Sequence, residues 1–284
     1  MGMQNIVFTL IKCRIKAVRE VLLKLTKAAG DDSLPADFLY CGLSLPCARS
    51  CDLLKCLLVH EIQISPMLEP LIELGPERAR KTIVFLHGLT GTASSVKPVA
   101  EYLLHRLPVG AFRFVLPTAS KKVVHQLGCL PVHAWFDIRS ADLEKGTDSD
   151  GVSESSLAVE ALLHELMERG THPKDLYIGG FSQGGVVALV TGLSFNYELG
   201  GIFALSSFLP GSEKIQSEFT ISTSETPIFF GFGTKDEVII RELQEKTIKK
   251  LEERGNPLLV RSYDFRHEIR SRELDDLTVW LNHS

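Results

Sequence analysis

Leu176-Tyr177-Ile178-Gly179-Gly180-Phe181-Ser182-Gln183-Gly184-Gly185 is the stretch on which the reading of this chain turns. A short apolar run, Leu176–Gly179, has the length and bounding glycines of a buried strand. It runs into Gly-x-Ser-x-Gly at Gly180–Gly184, and an apolar helical pattern, Gly184–Gly192, follows at once. A strand that turns sharply into a helix leaves no room for side chains beside the turn, which explains a glycine on either side of the serine. The turn lifts the Ser182 hydroxyl out of the sheet and sets it at a helix N-terminus. There, main-chain N–H groups and the helix dipole favour developing negative charge. A serine so placed is a candidate nucleophile.

Outward from this turn, short apolar runs alternate with longer helical patterns. Strands are expected at Leu68–Leu74, Ile83–Leu86, Phe112–Leu116, Leu176–Gly179, Ile202–Leu205, Ile228–Phe232 and Leu258–Tyr263. Helices are expected at Val96–Leu107, Ser155–Arg169, Gly184–Gly192, Glu237–Arg254 and Arg272–Leu281. Crossovers of this length make neighbouring strands parallel and right-handed in connection. The fold class is therefore α/β, with a mostly parallel central sheet covered by helices on both faces. Ligands in such folds gather at the carboxyl ends of the strands.

A serine hydroxyl needs a general base, itself oriented by an acid. With the serine on this kind of turn, the chain order is serine, acid, histidine. His267 and His283 are the histidines that follow Ser182. His283 is the penultimate residue, whereas His267 lies just past Leu258–Tyr263, in a strand-end loop, and is the expected base. The run Ile228-Phe229-Phe230-Gly231-Phe232-Gly233-Thr234-Lys235-Asp236 places an acid after the preceding strand. Asp236 is preferred over the adjacent Glu237. It is also preferred over Asp264, which is too close in sequence to His267 to reach the far side of the imidazole. Two main-chain donors must face the oxyanion. Gln183, after the serine, supplies one. Ile83-Val84-Phe85-Leu86-His87-Gly88-Leu89-Thr90-Gly91 supplies the other at Leu89. His87 precedes the serine and is assigned to support of that loop.

Together these residues resemble the acyl-protein thioesterase and lysophospholipase-like carboxylesterase family of the α/β-hydrolase superfamily, over about residues 67–283. The motifs that carry the likeness are His87-Gly88-Leu89, Ala134-Trp135-Phe136-Asp137-Ile138, Gly179–Gly185, and Ala204-Leu205-Ser206 followed by Leu209-Pro210. The resemblance implies a catalytic set of Ser182, Asp236 and His267, with oxyanion donors at Leu89 and Gln183. It further implies that the loop of Trp135 and Phe136 shapes the substrate pocket, and that no metal or cofactor is used. The implied substrates are thioesters of acylated protein cysteines, with lysophospholipids and short-chain carboxylesters as alternatives. A non-catalytic binding protein on the same fold is the competing class. Three departures from the family pattern stand out: Thr90 and Gly91 follow His87-Gly88-Leu89, no histidine precedes the acid loop, and Asp264-Phe265-Arg266 replaces the usual glycine before the histidine.

The chain has 284 residues, of which 44% are hydrophobic and 23% charged, enough for one large core with an appendage. A formal net charge of −4 argues against a nucleic-acid partner. The charge is uneven: residues 1–30 carry Lys12, Arg14, Lys16, Arg19, Lys24 and Lys27 against Glu20 alone. Residues 1–66 are expected to form an extension and residues 67–284 the catalytic domain. Within the extension, 4–27 reads as a basic amphipathic helix, too broken by charge to span a membrane. It suits docking on the body, peripheral contact with an anionic membrane, or organelle targeting. The expected location is cytoplasmic, with membrane association through that segment. Cys13, Cys41, Cys47, Cys51, Cys56 and Cys129 contain no C-x2-C pair. Reduced, buried thiols are expected rather than zinc ligands, with lipid attachment in the Cys13–Cys56 region as the other reading.

Overall fold

The computed structural model describes residues 68–283. The expected helix over 4–27, the five cysteines up to Cys56 and the rest of the extension lie outside the described residues.

Seven strands form the main sheet: β1 (Leu68–Leu74), β2 (Lys81–Leu86), β3 (Phe112–Ala119), β6 (Leu176–Phe181), β7 (Gly201–Leu205), β8 (Ile228–Gly233) and β9 (Leu258–Tyr263). Their order across the sheet is β1-β3-β2-β6-β7-β8-β9. Every neighbouring pair is parallel except β1 and β3, which run antiparallel. Five helices cover the faces: α1 (Ala93–Leu104), α2 (Ser149–Glu168), α3 (Gln183–Ser194), α4 (Arg241–Arg254) and α5 (Ser271–His283). The period of two in Ile83-Val84-Phe85-Leu86 divides the core. Val84 and Leu86 pack with α2, α3 and α4, while Ile83 and Phe85 pack with α1 and α5. Helix α3 is apolar all round, and every residue from Gln183 to Leu193 is buried, as a helix at the centre of the molecule must be.

The departures from expectation have local causes. Helix α4 begins at Arg241 rather than Glu237, because the Asp236 carboxylate accepts the Val238 and Ile239 N–H groups and holds 236–240 as a loop. Helix α1 begins three residues early, where Thr92 N–H donates to Ser95 Oγ. Helix α2 begins at Ser149, since its polar first turn masks the apolar period. A hairpin of β4 (Lys121–Val124) and β5 (Leu130–His133) was not expected at all. Its strands have four residues each and alternate too briefly to register as a pattern. Cys129, expected to be buried, is exposed between them. Among the described residues, no helix is long and apolar enough to cross a membrane.

The turn at Ser182 has the geometry its glycines require. Ser182 adopts φ 54° and ψ −120°, a backbone state that side chains ordinarily avoid. A methyl group on Gly180 would lie 2.2 Å from the Gly184 carbonyl carbon. One on Gly184 would lie 2.4 Å from Leu86 O and 2.5 Å from His87 O. These neighbours are main chain and cannot swing aside. Gly184→Ala is therefore expected to destabilise the fold by about 1–3 kcal/mol through overpacking. The denaturant midpoint measures this, and an unchanged midpoint contradicts the tight turn.

Candidate active site

Strands β2, β6, β7, β8 and β9 end on the same edge of the sheet, and their carboxyl-end loops bring together residues far apart in sequence. Ser182, at the end of β6, is partly exposed. Its N–H donates to Leu205 O at 2.9 Å, and its carbonyl accepts from Ser207 Oγ at 3.0 Å, so the loop after β7 clamps the turn. His267 Nε2 lies 2.9 Å from Ser182 Oγ, and His267 Nδ1 lies 2.8 Å from Asp236 Oδ2. The other oxygen, Asp236 Oδ1, accepts from Val238 and Ile239 N–H, both at 2.8 Å. The Asp236 carboxylate is fully enclosed. Acting as an acceptor at both oxygens, it accepts a hydrogen bond from His267 Nδ1–H, which keeps the proton on Nδ1 and leaves Nε2 with the lone pair that faces the serine hydroxyl. The ring of Phe181 packs 4.9 Å from the imidazole and limits its rotation.

The alternatives considered from sequence are elsewhere engaged. Asp264 is exposed and pairs with Lys235 at 2.7 Å. Glu237 pairs with Arg266 at 3.4 Å. His283 ends α5 and contacts Val279 O through Nδ1. His87 is wholly buried. Its Nε2 accepts from Ala119 N–H at 3.0 Å, so the proton sits on Nδ1 and is donated to Gly88 O at 2.7 Å. Burial pushes its pKa down to about 4, and the ring is neutral at physiological pH. It braces the loop after β2 and stands apart from the relay.

That loop carries Leu89. Thr90 sits at φ 64°, and its N–H donates to His133 O at 2.9 Å, fixing the chain just beyond Leu89 to the β4–β5 hairpin. Neither Leu89 N–H nor Gln183 N–H has an acceptor among the described residues. The Gln183 side chain is buried, where Oε1 accepts from Trp135 N–H at 3.0 Å and Nε2 donates to Phe136 O at 2.7 Å. Trp135 Nε1–H donates in turn to His87 O at 2.8 Å. Trp135 and Phe136, expected at the pocket wall, are 1% and 0% exposed and belong to the core. Their influence on the site is exerted from behind: they tie the loop of Leu89 to the start of α3.

Sequence reasoning missed how the acid and histidine loops hold each other. Lys235 N–H donates to Phe265 O at 3.0 Å and Thr234 N–H to Tyr263 O at 2.7 Å. Gly233 is packed so closely that a methyl group there would meet Phe265 O at 2.3 Å. Tyr263 and Phe265 stack nearly face to face, 5.4 Å apart. The bulky Asp264-Phe265-Arg266 segment is thus the surface against which the acid loop is laced, and His267 keeps its place beside Ser182.

A buried carboxylate, an imidazole and a partly exposed hydroxyl in series can carry out acyl transfer. A family model described as phospholipase/carboxylesterase matches residues 68–284. The chain belongs to this family. It is a hydrolase of the α/β-hydrolase superfamily. Acyl-protein thioesterase 1 of Saccharomyces cerevisiae is 36% identical over 218 residues, covering 72% of this chain and 93% of that protein. Among solved structures, Arabidopsis thaliana SOBER1 superposes with a TM-score of 0.67 at 26% identity, covering 72% of this chain and 99% of that one. Zea mays acyl-protein thioesterase 2 gives 0.63 at 27% identity, covering 75% and 98%.

Proposed function

We propose that this hydrolase is an acyl-protein thioesterase, with Ser182 as nucleophile, His267 as general base and acid, and Asp236 as the residue that orients the imidazole. The observation that carries the reading is the unbroken relay from Asp236 Oδ2 through His267 to Ser182 Oγ, at 2.8 and 2.9 Å. In the first half-reaction Ser182 Oγ attacks the acyl carbon while His267 Nε2 takes its proton. The carbonyl oxygen, now negative, accepts from Leu89 and Gln183 N–H. Collapse of this intermediate breaks the bond to the cysteine sulfur, and His267 returns the proton to the thiol. In the second half-reaction water, deprotonated by the same histidine, attacks the acyl-serine; the bond to Ser182 Oγ breaks, His267 returns the proton to that oxygen, and the carboxylic acid is released.

Acylated protein is the substrate class favoured by the likeness to named acyl-protein thioesterases. The likeness to carboxylesterase SOBER1, 28% identical over 207 residues, supports oxygen esters as the second reading. In either case the reaction is assigned to residues 67–284, with 1–66 as an appended segment. Rates across acyl chain lengths, with thioester and oxygen-ester heads, separate the two. The thioesterase reading expects the highest kcat/KM for long-chain S-acyl peptides. A preference for short oxygen esters, with no thioester turnover, would replace it with the carboxylesterase reading.

A further inference from the structure

Among the described residues, one fully buried carboxyl group has no role in the relay and no hydrogen-bond partner. Glu273, in the first turn of α5, is 0% exposed, and neither of its side-chain oxygens has a hydrogen-bond partner among the described residues. It abuts Gly231 on β8 so closely that a methyl group on that glycine would meet Glu273 Oε1 at 2.5 Å, with the Phe229 ring beside it. Gly231 is in turn a junction of the site. Its carbonyl accepts from Ser206 N–H at 2.8 Å, and the next residue, Ser207, donates to Ser182 O. Five residues beyond Gly231 lies Asp236, and six residues before Glu273 lies His267.

We infer that Glu273 is a positioning residue of the relay: its buried carboxyl, keyed against Gly231, fixes the end of β8 to the start of α5 and so holds the Asp236 and His267 loops at hydrogen-bond distance. The inference rests on the relay proposed above. It has a consequence that simple packing lacks. Enclosed against Gly231 with no described cation beside it, the carboxyl is favoured in its protonated form. Burial pushes its pKa up to about 8, and the Arg270 main-chain N–H, which is close by but falls short of hydrogen-bond geometry, pulls the other way. Strand β8 contributes no titratable side chain to this contact. From β9 comes the Tyr263 phenol, whose pKa is raised chiefly by burial and by its hydrogen bond to Asp276. Tyr102 of α1 and Arg106 in the turn after it are both taken up by Asp275. No described cation forms an ion pair with Glu273.

The sign follows from linkage. The folded protein holds this proton up to about pH 8, whereas the unfolded chain releases it near the ordinary glutamate value of 4.5. The contribution to stability is therefore full below 4.5 and is lost as pH rises through 8. The test is the pH profile of kcat/KM on a small activated ester, using the full chain. For the wild type, activity is expected to fall about tenfold per pH unit above 8, as the carboxyl ionises and the loops part. Glu273→Gln, which keeps the shape and cannot ionise, is expected to hold its plateau through that range. An identical alkaline fall in Glu273→Gln, or no fall in the wild type, overturns the inference. If the variant does not fold, 13C NMR of glutamate side chains in the wild type decides. A Glu273 carboxyl titrating near 8, in step with activity, supports the inference, and one titrating near 4.5 overturns it. Fluorophosphonate labelling at neutral pH keeps the two claims apart. Ser182 labelled together with a flat alkaline profile defeats only the role of Glu273, whereas no labelling defeats the relay itself.

Discussion

Replacing Ser182 with alanine is expected to lower kcat by a factor on the order of 10⁴ or more, with the fold intact. The size of the loss reflects what Ser182 Oγ alone supplies. It is the partly exposed end of the relay, and no other described hydroxyl lies within hydrogen-bond distance of His267 Nε2. Without it, His267 can at best activate water directly, and the acyl-enzyme that splits the reaction into two easier steps never forms. Stability should change little, because the turn is held by main-chain contacts: Ser182 N–H to Leu205 O and Ser207 Oγ to Ser182 O. Steady-state rates and a thermal melt together test this. Turnover of the alanine variant within tenfold of the wild type contradicts the mechanism.

The second large effect concerns Asp236. Asp236→Asn preserves size and packing but replaces an acceptor oxygen with an N–H donor. With Oδ1 retained for Val238 and Ile239 N–H, the amide nitrogen faces His267 Nδ1. The imidazole then places its proton on Nε2, pointing it at Ser182 instead of accepting from it. The same tautomer error in serine proteases costs roughly 10⁴ in kcat, and a loss of that order is expected here. The measurement is kcat at neutral pH, with the midpoint of unfolding as a control. A loss of less than about tenfold would mean that the carboxylate does not orient the base.

The fold was legible where local chemistry and long-range packing make the same demand. The glycines at 180 and 184 announce a turn that main-chain crowding enforces, and Ile83–Leu86 reads as a strand because both of its faces are buried. The relay was legible through chain order and loop position, which single out Asp236 and His267 without any view of their contacts. The rest depends on contacts that leave no local trace. The β4–β5 hairpin is too short to show a period. Trp135 and Phe136 were expected to shape the pocket, but they pack into the core and are tied there by hydrogen bonds to Gln183 and His87. Phe265 looked like a disruption of the histidine loop, yet it supplies the carbonyl to which Lys235 is tied. Glu273 reads as an ordinary acid in the first turn of an amphipathic helix. Its burial is dictated by a glycine on β8, and no window of sequence contains both.

The most direct measurement of the central claim is the site of reaction with a fluorophosphonate ester, located by peptide mass spectrometry in the wild type and in His267→Ala. The relay predicts a single stoichiometric adduct on Ser182 in the wild type and a labelling rate lower by orders of magnitude in the variant. An adduct on another residue, or equal labelling of Ser182 without His267, would contradict it.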